Sequence, residues 1–419
     1  MHEYFLKNFK FFKFIKSMKE SEENKEKEIY KEIINDFLIK NKNEYNIEDI
    51  HKININFEKL GGGMNKNFLI TVENKENNKN IKFFFRAFGK LMNEGTFDRK
   101  KEAEIIKKLG KMGYGPKLLD FDYKNERYRI DEYLDNTQNL PRNKIFDENI
   151  INNLIIIINE YSKISDIYQY EIIEENSKKS IKLSQTGNNP FQITKNIYHN
   201  LINNTYYRAK NNFEKYYKDY NETNIKDNYL NDKNMNKIKS MLNEFINIFS
   251  SFFNKKGFFV LNHHDLHGLN VLLTKDTNKI YIIDNEFSCL SLIGFDIVWY
   301  MIMSLFQYEP NYEYYPHLMD YNKFYQIYLQ YMDCFTKSNE DWINKEQERI
   351  DYIKYIKKEK YFCEILCIAT LFAYIISLLD LNFNKENILR NGDIFLMNVL
   401  NMIQLFEFSY DKYKNVKNK

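Results

Sequence analysis

Residues 258–288 read FFVLNHHDLHGLNVLLTKDTNKIYIIDNEFS, and this stretch decides the class of fold. It contains the pattern H-x-D-x-x-x-x-N, formed by His263, Asp265 and Asn270, and two short apolar runs follow that end at Asp284. Phosphoryl transfer needs a carboxylate that accepts the proton of the attacking hydroxyl, together with oxygen ligands for magnesium. Each residue alone could be a helix cap or a turn residue. The combination predicts Asp265 as the catalytic carboxylate, with His263 in the same catalytic motif, and Asn270 and Asp284 as magnesium ligands.

A glycine cluster lies upstream, between two runs of β-favouring residues, and consists of Gly61, Gly62 and Gly63. Glycines let a backbone approach phosphate groups closely, although a flexible hairpin turn is the alternative interpretation. Arg86 ends the next predicted strand and is expected to reach a phosphate, unless it is a surface arginine. Glu102 opens the following predicted helix, and we expect it to pair with Arg86, as a strand cation and a helix carboxylate do in kinases.

The chain of 419 residues exceeds the roughly 250–300 residues at which one hydrophobic core stops growing, so we expect two lobes. The predicted fold class is α+β, with a small N-terminal lobe built on an antiparallel sheet and a larger, mainly helical C-terminal lobe. Residues 1–50 are expected to form a helical extension, 51–140 the nucleotide-binding lobe and 141–419 the catalytic and substrate lobe. An Asn/Lys-rich insertion is placed near 170–232, and its segment ENSKKSIKLSQTGNNP is interpreted as a loop or an insertion.

Composition excludes several classes of partner. With 61 basic against 58 acidic residues, the net charge of +3 gives no reason to expect nucleic acid binding.

Four cysteines are too few for a disulfide framework in so long a chain, which favours a reducing, cytoplasmic location. The longest apolar run, 365–379, is shorter than the ~20 residues of a transmembrane helix and is expected to be a buried helix. The basic, aromatic N-terminus is interpreted as a surface helix, with contact to an anionic membrane as the alternative.

Several blocks together resemble the choline/ethanolamine kinases, which belong with the aminoglycoside phosphotransferases in the protein-kinase-like fold. The blocks are HHDLHGLNVLL, IIDNEFS and GFDI, preceded in the same order as in the family by GGGMNKNFLITV, FFFRAFG, DRKKE and GYGPKLL. The likeness runs from about residue 55 to residue 400. It implies a bilobal kinase fold, ATP and Mg²⁺ as cofactors, and a small amino alcohol as the substrate. Choline or ethanolamine would be phosphorylated in the first step of phospholipid synthesis, and family members are often homodimers.

The same resemblance assigns roles residue by residue. It implies that Asp265 is the catalytic base, and that Gly63, Asn65 and Arg86 contact phosphate groups. Adenine would bind the backbone of the connector that includes Asp131 and Tyr133. Two further positions match the family, namely Glu286 and Asp296, and Asp296 is expected to brace the catalytic loop.

The acceptor side departs from the family. Asn285 stands where the family has an aromatic residue, and Met303 lies in a region where it has an acidic one. An aromatic and acidic stretch could supply a cation pocket instead, formed by Trp299, Tyr300, Tyr308, Glu309, Tyr312, Glu313 and Tyr315. Ordinary helix packing is the alternative. Three functions therefore stay open: a choline or ethanolamine kinase, a kinase of the same fold for another small alcohol or amino sugar, and a nucleotide-binding pseudokinase.

Overall fold

A computed structural model describes residues 26–61, 65–75, 79–88, 98–164, 170–175, 178–183, 240, 259–308, 320–345 and 347–358. The chain divides into two compact units. The first unit comprises Met1–Ala103 and Pro116–Asp135, and the second comprises Glu104–Gly115 and Asn136–Lys419. The lobe boundaries expected from the sequence stay a prediction.

The first unit is built on a five-stranded antiparallel sheet with the strand order β1-β2-β3-β5-β4. Its strands are β1 (Ile53–Leu60), β2 (Lys66–Asn74), β3 (Lys79–Ala87), β4 (Leu118–Phe121) and β5 (Tyr128–Glu132). Alternate residues of β3, Phe83 and Phe85, are buried and face the helix over residues 26–40 (α1), with which they share one hydrophobic core. A short helix, α2 (Lys42–Tyr45), follows α1. The two strands that flank the glycine cluster and the strand that contains Arg86 occur where the sequence predicted them.

Helix α3 (Arg99–Met112) begins after a capping residue and ends before a glycine. At its start the Asp98 side chain accepts a hydrogen bond from the backbone N–H of Lys101, a typical N-terminal cap. At its end Gly113 has a φ of +76°, and the N–H of Tyr114 donates to the Leu109 carbonyl. Glycine adopts this left-handed conformation without a steric cost, so Gly113 ends the helix.

The second unit contains three small sheets and five helices among its described residues. The sheets pair β11-β10-β6, β12-β9 and β7-β8, all antiparallel. The strands are β6 (Thr137–Asn139), β7 (Tyr170–Glu175), β8 (Lys178–Leu183), β9 (Phe259–Asn262), β10 (Val271–Thr274), β11 (Ile280–Ile282) and β12 (Cys289–Leu292). The helices are α4 (Glu148–Ser162), α5 (Phe295–Tyr308), α6 (Tyr321–Ser338), α7 (Glu340–Ile343) and α8 (Gln347–Lys358).

One expectation for the insertion was wrong. The segment ENSKKSIKLSQTGNNP was interpreted as a loop, but its residues Lys178–Leu183 form strand β8. Strand β8 pairs antiparallel with β7, and Ile172 lies opposite Ile181 in the register.

The apolar run 365–379, with its neighbouring Cys363 and Cys367, lies outside the described residues, as does the N-terminal basic segment. Within the described part of the chain, no helix is both long enough and apolar enough to cross a bilayer.

Candidate active site

A buried cluster of charged side chains occupies the first unit. The carboxylate of Glu102 lies among three guanidinium groups: Arg99 donates to its Oε2 at 2.8 Å, Arg129 binds its Oε1, and Nη1 of Arg86 lies 3.7 Å from Oε1. Nε of Arg129 also donates to Asp131 at 2.8 Å. All five residues are at most 5% exposed. Glu102 is thus a buried carboxylate that contacts three guanidinium groups, which is how proteins accommodate a buried charge.

The cluster shifts the pKa values of its two carboxyl groups in opposite directions. Burial alone would raise the pKa of Glu102, but the three arginines outweigh burial and hold that pKa below its usual range. Burial raises the pKa of Asp131, although the Arg129 guanidinium opposes this rise. Glu102 is therefore the anion that orders the arginines.

The structure brings together the predicted pair Arg86 and Glu102, but it also reveals partners that sequence reasoning missed. Nε of Arg86 donates to Oδ1 of Asn67 at 3.0 Å, which fixes the guanidinium plane. Arg99 and Arg129 contact Glu102 more closely than Arg86 does. A usable signal existed in strand β5, where Arg129 and Asp131 flank Ile130 and therefore lie on one face of the strand, because charges that are buried require partners.

The other predicted nucleotide residues lie around the same sheet. Gly61 is exposed, its carbonyl accepts a hydrogen bond from Asn67 at 3.0 Å, and a Cβ there would meet nothing within 4 Å. Asn65 is buried at the start of β2. Tyr133 follows β5 and its ring lies 5.7 Å from Nζ of Lys82. Gly62 and Gly63 lie outside the described residues.

In the second unit the loop after β9 is held by Asp296, the first-turn carboxylate of α5. It accepts hydrogen bonds from the backbone N–H groups of His263, at 2.6 Å, and His264, at 3.1 Å. Burial raises the pKa of Asp296 to about 7, and the two N–H donors oppose this rise. His264 has a φ of +63°, a left-handed conformation that is uncommon for histidine. Asp296 therefore holds a strained turn immediately before Asp265.

His263 is a buried support for the loop and not an exposed acid. Its Nδ1 accepts the N–H of Asp265 at 3.2 Å, so the ring proton lies on Nε2, which contacts the Ile283 carbonyl at 2.8 Å. Burial lowers the pKa of His263, and the imidazole stays neutral. This predicted catalytic residue thus contacts both Asp265 and the residue before Asp284.

The amide of Asn270 has a defined orientation. Nδ2 donates to the Asp265 carbonyl at 2.8 Å and lies 3.2 Å from Oδ2 of Asp265. A carbonyl can only accept, so the nitrogen must face the loop, and Oδ1 of Asn270 is left for another partner. Asn270 is buried, whereas the Asp265 side chain is 30% exposed. Asp265 is therefore accessible to a ligand.

Strands β10 and β11 bring Asn270 to Asp284. Val271 pairs with Ile282, and the N–H of Ile283 donates to the Asn270 carbonyl at 3.0 Å. Asn270 precedes the first strand and Asp284 follows the second, so the two lie at the same end of the hairpin. Asp284 has a φ of +64°, a second left-handed residue at this end. Both residues thus lie at one end of the hairpin, and an amide oxygen and a carboxylate are ligands that suit a hard cation such as Mg²⁺.

Asn285 replaces the family's aromatic residue and has a partner that sequence reasoning missed. The Tyr161 hydroxyl of α4 donates to Oδ1 of Asn285 at 3.0 Å and also contacts the Ser288 hydroxyl. Tyr161 and Asn285 are both buried. The polar contact thus fixes the turn that carries Asp284.

The predicted acceptor residues lie in different environments, and some of them are buried in the core. Tyr300 is fully buried and its hydroxyl donates to the Ile145 carbonyl at 2.9 Å, as the packing alternative predicts. Trp299 is buried against Phe295, with ring centroids 5.5 Å apart, and Met303 is buried as well. Glu286 is half-buried two residues after Asp284. Tyr308 ends α5, whereas Glu309, Tyr312, Glu313 and Tyr315 lie outside the described residues.

Comparison with known structures identifies the fold. The structure is similar to an ethanolamine kinase from Plasmodium vivax, with 17% identity, a TM-score of 0.52 and coverage of 85% of this chain and 84% of that chain. It is also similar to LicA in complex with AMP, with 15% identity, a TM-score of 0.50 and coverage of 91% and 98%. At these identities the likeness shows the fold alone, which is α+β and protein-kinase-like.

The family follows from the sequence itself. The choline/ethanolamine kinase family model matches residues 57–388, so the chain belongs to the choline/ethanolamine kinase family. It is accordingly an ATP-dependent phosphotransferase that acts on an alcohol. No curated protein sequence matches the chain. The fold class and family predicted from the motifs are confirmed.

Proposed function

We propose that this kinase phosphorylates the hydroxyl of choline or ethanolamine, in the first step of phospholipid head-group synthesis. One observation carries the proposal: the accessible carboxylate of Asp265 lies on a loop at the hairpin end that carries Asp284. The buried residues His263 and Asn270 bind the backbone of Asp265, and Nδ2 of Asn270 also lies 3.2 Å from its Oδ2. Family membership supports an alcohol as the acceptor.

Asp265 is the group that receives the proton. Its carboxylate orients the acceptor hydroxyl and accepts the hydroxyl proton, while the hydroxyl oxygen forms a bond to the γ-phosphorus of ATP. The bond from that phosphorus to the bridging oxygen breaks, and ADP leaves with the electron pair. Preorganisation by His263 and Asn270 favours this step, because a carboxylate already in place needs no reorientation.

Asn270 and Asp284 would hold Mg²⁺, and their oxygen donors fit that ion. When bound, the ion neutralises charge on the β- and γ-phosphates. In the first unit we propose Arg86 as a phosphate contact, because its guanidinium is held in place by Asn67 and lies beside Glu102. We propose the glycine loop with Asn65 as a further phosphate contact, and the backbone around Asp131 and Tyr133 as the adenine site.

For the acceptor cation we propose Glu286 as the counter-charge, with Trp299, Tyr308 and Glu309 as further pocket residues. A carboxylate or an aromatic face can replace the hydration of an ammonium group. Tyr300 is left out, because its hydroxyl is engaged by Ile145 inside the core.

A second candidate is a kinase of the same fold for another small alcohol or amino sugar. The observation that favours it is Met303, which is buried and apolar in a region where the family carries an acidic residue. An acceptor without a permanent positive charge would not need that acid.

The test measures phosphate transfer to each amino alcohol with ATP and Mg²⁺. We expect transfer by the wild type and a loss of about 10²–10⁴-fold in Asp265→Asn. Asp276→Asn is the matched control, because Asp276 is exposed in the far turn of the same hairpin. Transfer only to another alcohol would favour the second candidate, and no ADP release with any acceptor would indicate a nucleotide-binding pseudokinase.

Magnesium dependence is a separate measurement. Chelation by EDTA is expected to abolish transfer, and Asp284→Asn is expected to raise the Mg²⁺ concentration needed for half-maximal rate. The same control, Asp276→Asn, should leave that concentration unchanged. We also propose a cytoplasmic location and a homodimer, which cell fractionation and light scattering would test.

A further inference from the structure

His267 lies two residues after Asp265, and both of its ring nitrogens face the catalytic loop. Nδ1 accepts the backbone N–H of Leu269 at 3.2 Å, which caps the helical turn Gly268–Asn270. An N–H group can only donate, so Nδ1 carries no proton and the proton of the neutral ring lies on Nε2. The side chain is buried, so this orientation is enforced by packing.

Nε2 of His267 lies beside two side chains of the loop. It is 3.6 Å from Oδ1 of Asp265 and 3.2 Å from Nδ2 of Asn270. Because the ring proton lies on Nε2 and an amide nitrogen can only donate, these two nitrogens are both donors and share no hydrogen bond. Of these two neighbours, Oδ1 of Asp265 is the one that can accept the proton of His267, while Nδ2 of Asn270 lies 3.2 Å from Oδ2.

We propose that His267 is a positioning residue, whose proton on Nε2 fixes the orientation of the Asp265 carboxylate. This role rests on the proposed function. The separation of 3.6 Å is longer than a direct hydrogen bond. Hydrogen bonds of catalytic groups are often long without ligand and tighten when substrate binds. With Oδ1 facing His267 and Oδ2 facing Asn270, the carboxylate keeps one rotamer and presents its remaining lone pairs to the acceptor hydroxyl.

Two substitutions separate the roles of the two nitrogens. His267→Asn places an amide oxygen near the position of Nδ1, so the cap on Leu269 survives but the contact with Asp265 is lost. His267→Gln extends to the position of Nε2, so the donor to Asp265 survives but the cap is lost. We expect kcat to fall about 10–100-fold in His267→Asn, because small misplacements of a reacting group cost rates of that size. We expect His267→Gln to stay within about threefold of wild type, and KM for ATP to change little in both.

The control is His51→Asn, the same chemical change at an exposed histidine of the first unit. It should leave kcat and KM unchanged. Urea unfolding of both His267 variants shows whether a loss of rate reflects a loss of folded protein. A full kcat in His267→Asn would overturn the proposal, and so would an equal loss in His267→Gln at unchanged stability.

A readout that needs no acceptor keeps this proposal distinct from the proposed function. Solid-state NMR of ¹⁵N-histidine-labelled protein reports which nitrogen of each imidazole carries the proton, and the signal absent from His267→Asn identifies His267. We expect the proton on Nε2, and a change in the Nε2 signal in Asp265→Asn. A proton on Nδ1 would overturn the proposal even if phosphate transfer is found. Failure of transfer with the expected Nε2 proton would count against the proposed function alone.

Discussion

Low pH should destabilise the folded protein because the buried imidazole of His264 must become protonated. The variant His264→Asn isolates this effect. The ring of His264 lies 4.6 Å from Phe295, and Nε2 is buried with no hydrogen-bond partner among the described residues. Burial lowers its pKa to about 3, so the folded state keeps the imidazole neutral. Asn tolerates the left-handed backbone that His264 adopts, so His264→Asn removes the titrating group with little added strain.

The direction and size of this destabilisation follow from the pKa of His264 in the folded state and its ordinary value in the unfolded chain. The folded-state pKa of His264 is lower than the ordinary value of 6.5, so its contribution to stability is present above pH 6.5 and is lost as the pH falls towards 3. One pH unit corresponds to about 1.4 kcal/mol per proton, so at pH 5 the wild type should have lost about 2 kcal/mol relative to His264→Asn. Asp296 also titrates in this range, but it keeps both backbone donors in either protein, so the comparison cancels it.

Urea unfolding followed by tryptophan fluorescence measures the difference. The chain has two tryptophans, Trp299 and Trp342, and both belong to the second unit, which also contains His264. The unfolding free energy of wild type minus that of His264→Asn should fall by about 2 kcal/mol between pH 7.5 and pH 5. The exposed His51→Asn serves as the control. A difference that stays constant over this range would show that His264 is not a buried neutral imidazole, and the reasoning would be refuted.

Three further outcomes are expected. Glu102→Gln should destabilise the first unit by about 3–5 kcal/mol, because it removes the negative charge that the buried Arg99 and Arg129 contact. Glu104→Gln on the same helix should change the stability little, and hydrogen exchange measures the stability of both variants. Tyr161→Phe should cost about 1–3 kcal/mol, since the buried Asn285 loses its donor, and an unchanged urea midpoint would contradict this. Asp296→Asn should cost a similar amount and lower kcat, because one backbone N–H loses its acceptor; unchanged stability and rate would refute the bracing role.

The sequence was sufficient where local pattern determines structure. Asn270 and Asp284 flank two apolar runs, and an antiparallel hairpin necessarily brings such flanks together. The stop of α3 at Gly113 follows equally from one residue's conformational freedom. These features required no knowledge of tertiary contacts.

Most tertiary partners could not be predicted, because no local pattern specifies them; the pair Arg86 and Glu102 was expected only by analogy with kinases. Glu102 and Arg129 are 27 positions apart, and Tyr161 and Asn285 are 124 positions apart. Strand β8 was missed because its sequence, KKSIKL, is mostly polar, and strand formation depends on a partner strand as well as on propensity. The roles of the individual site residues stay predictions.

The β10–β11 hairpin brings Asn270 and Asp284 to the same end whatever the length of the turn that joins its two strands. The exposed turn at Asp276 and Thr277 lies at the opposite end from both residues. Extra residues inserted there would lengthen the turn without altering the strand register, at a small entropic cost. A deletion of one residue inside β10 would instead turn its side chains to the other face. The turn is therefore a suitable place to insert a peptide tag or a reporter domain into a working enzyme.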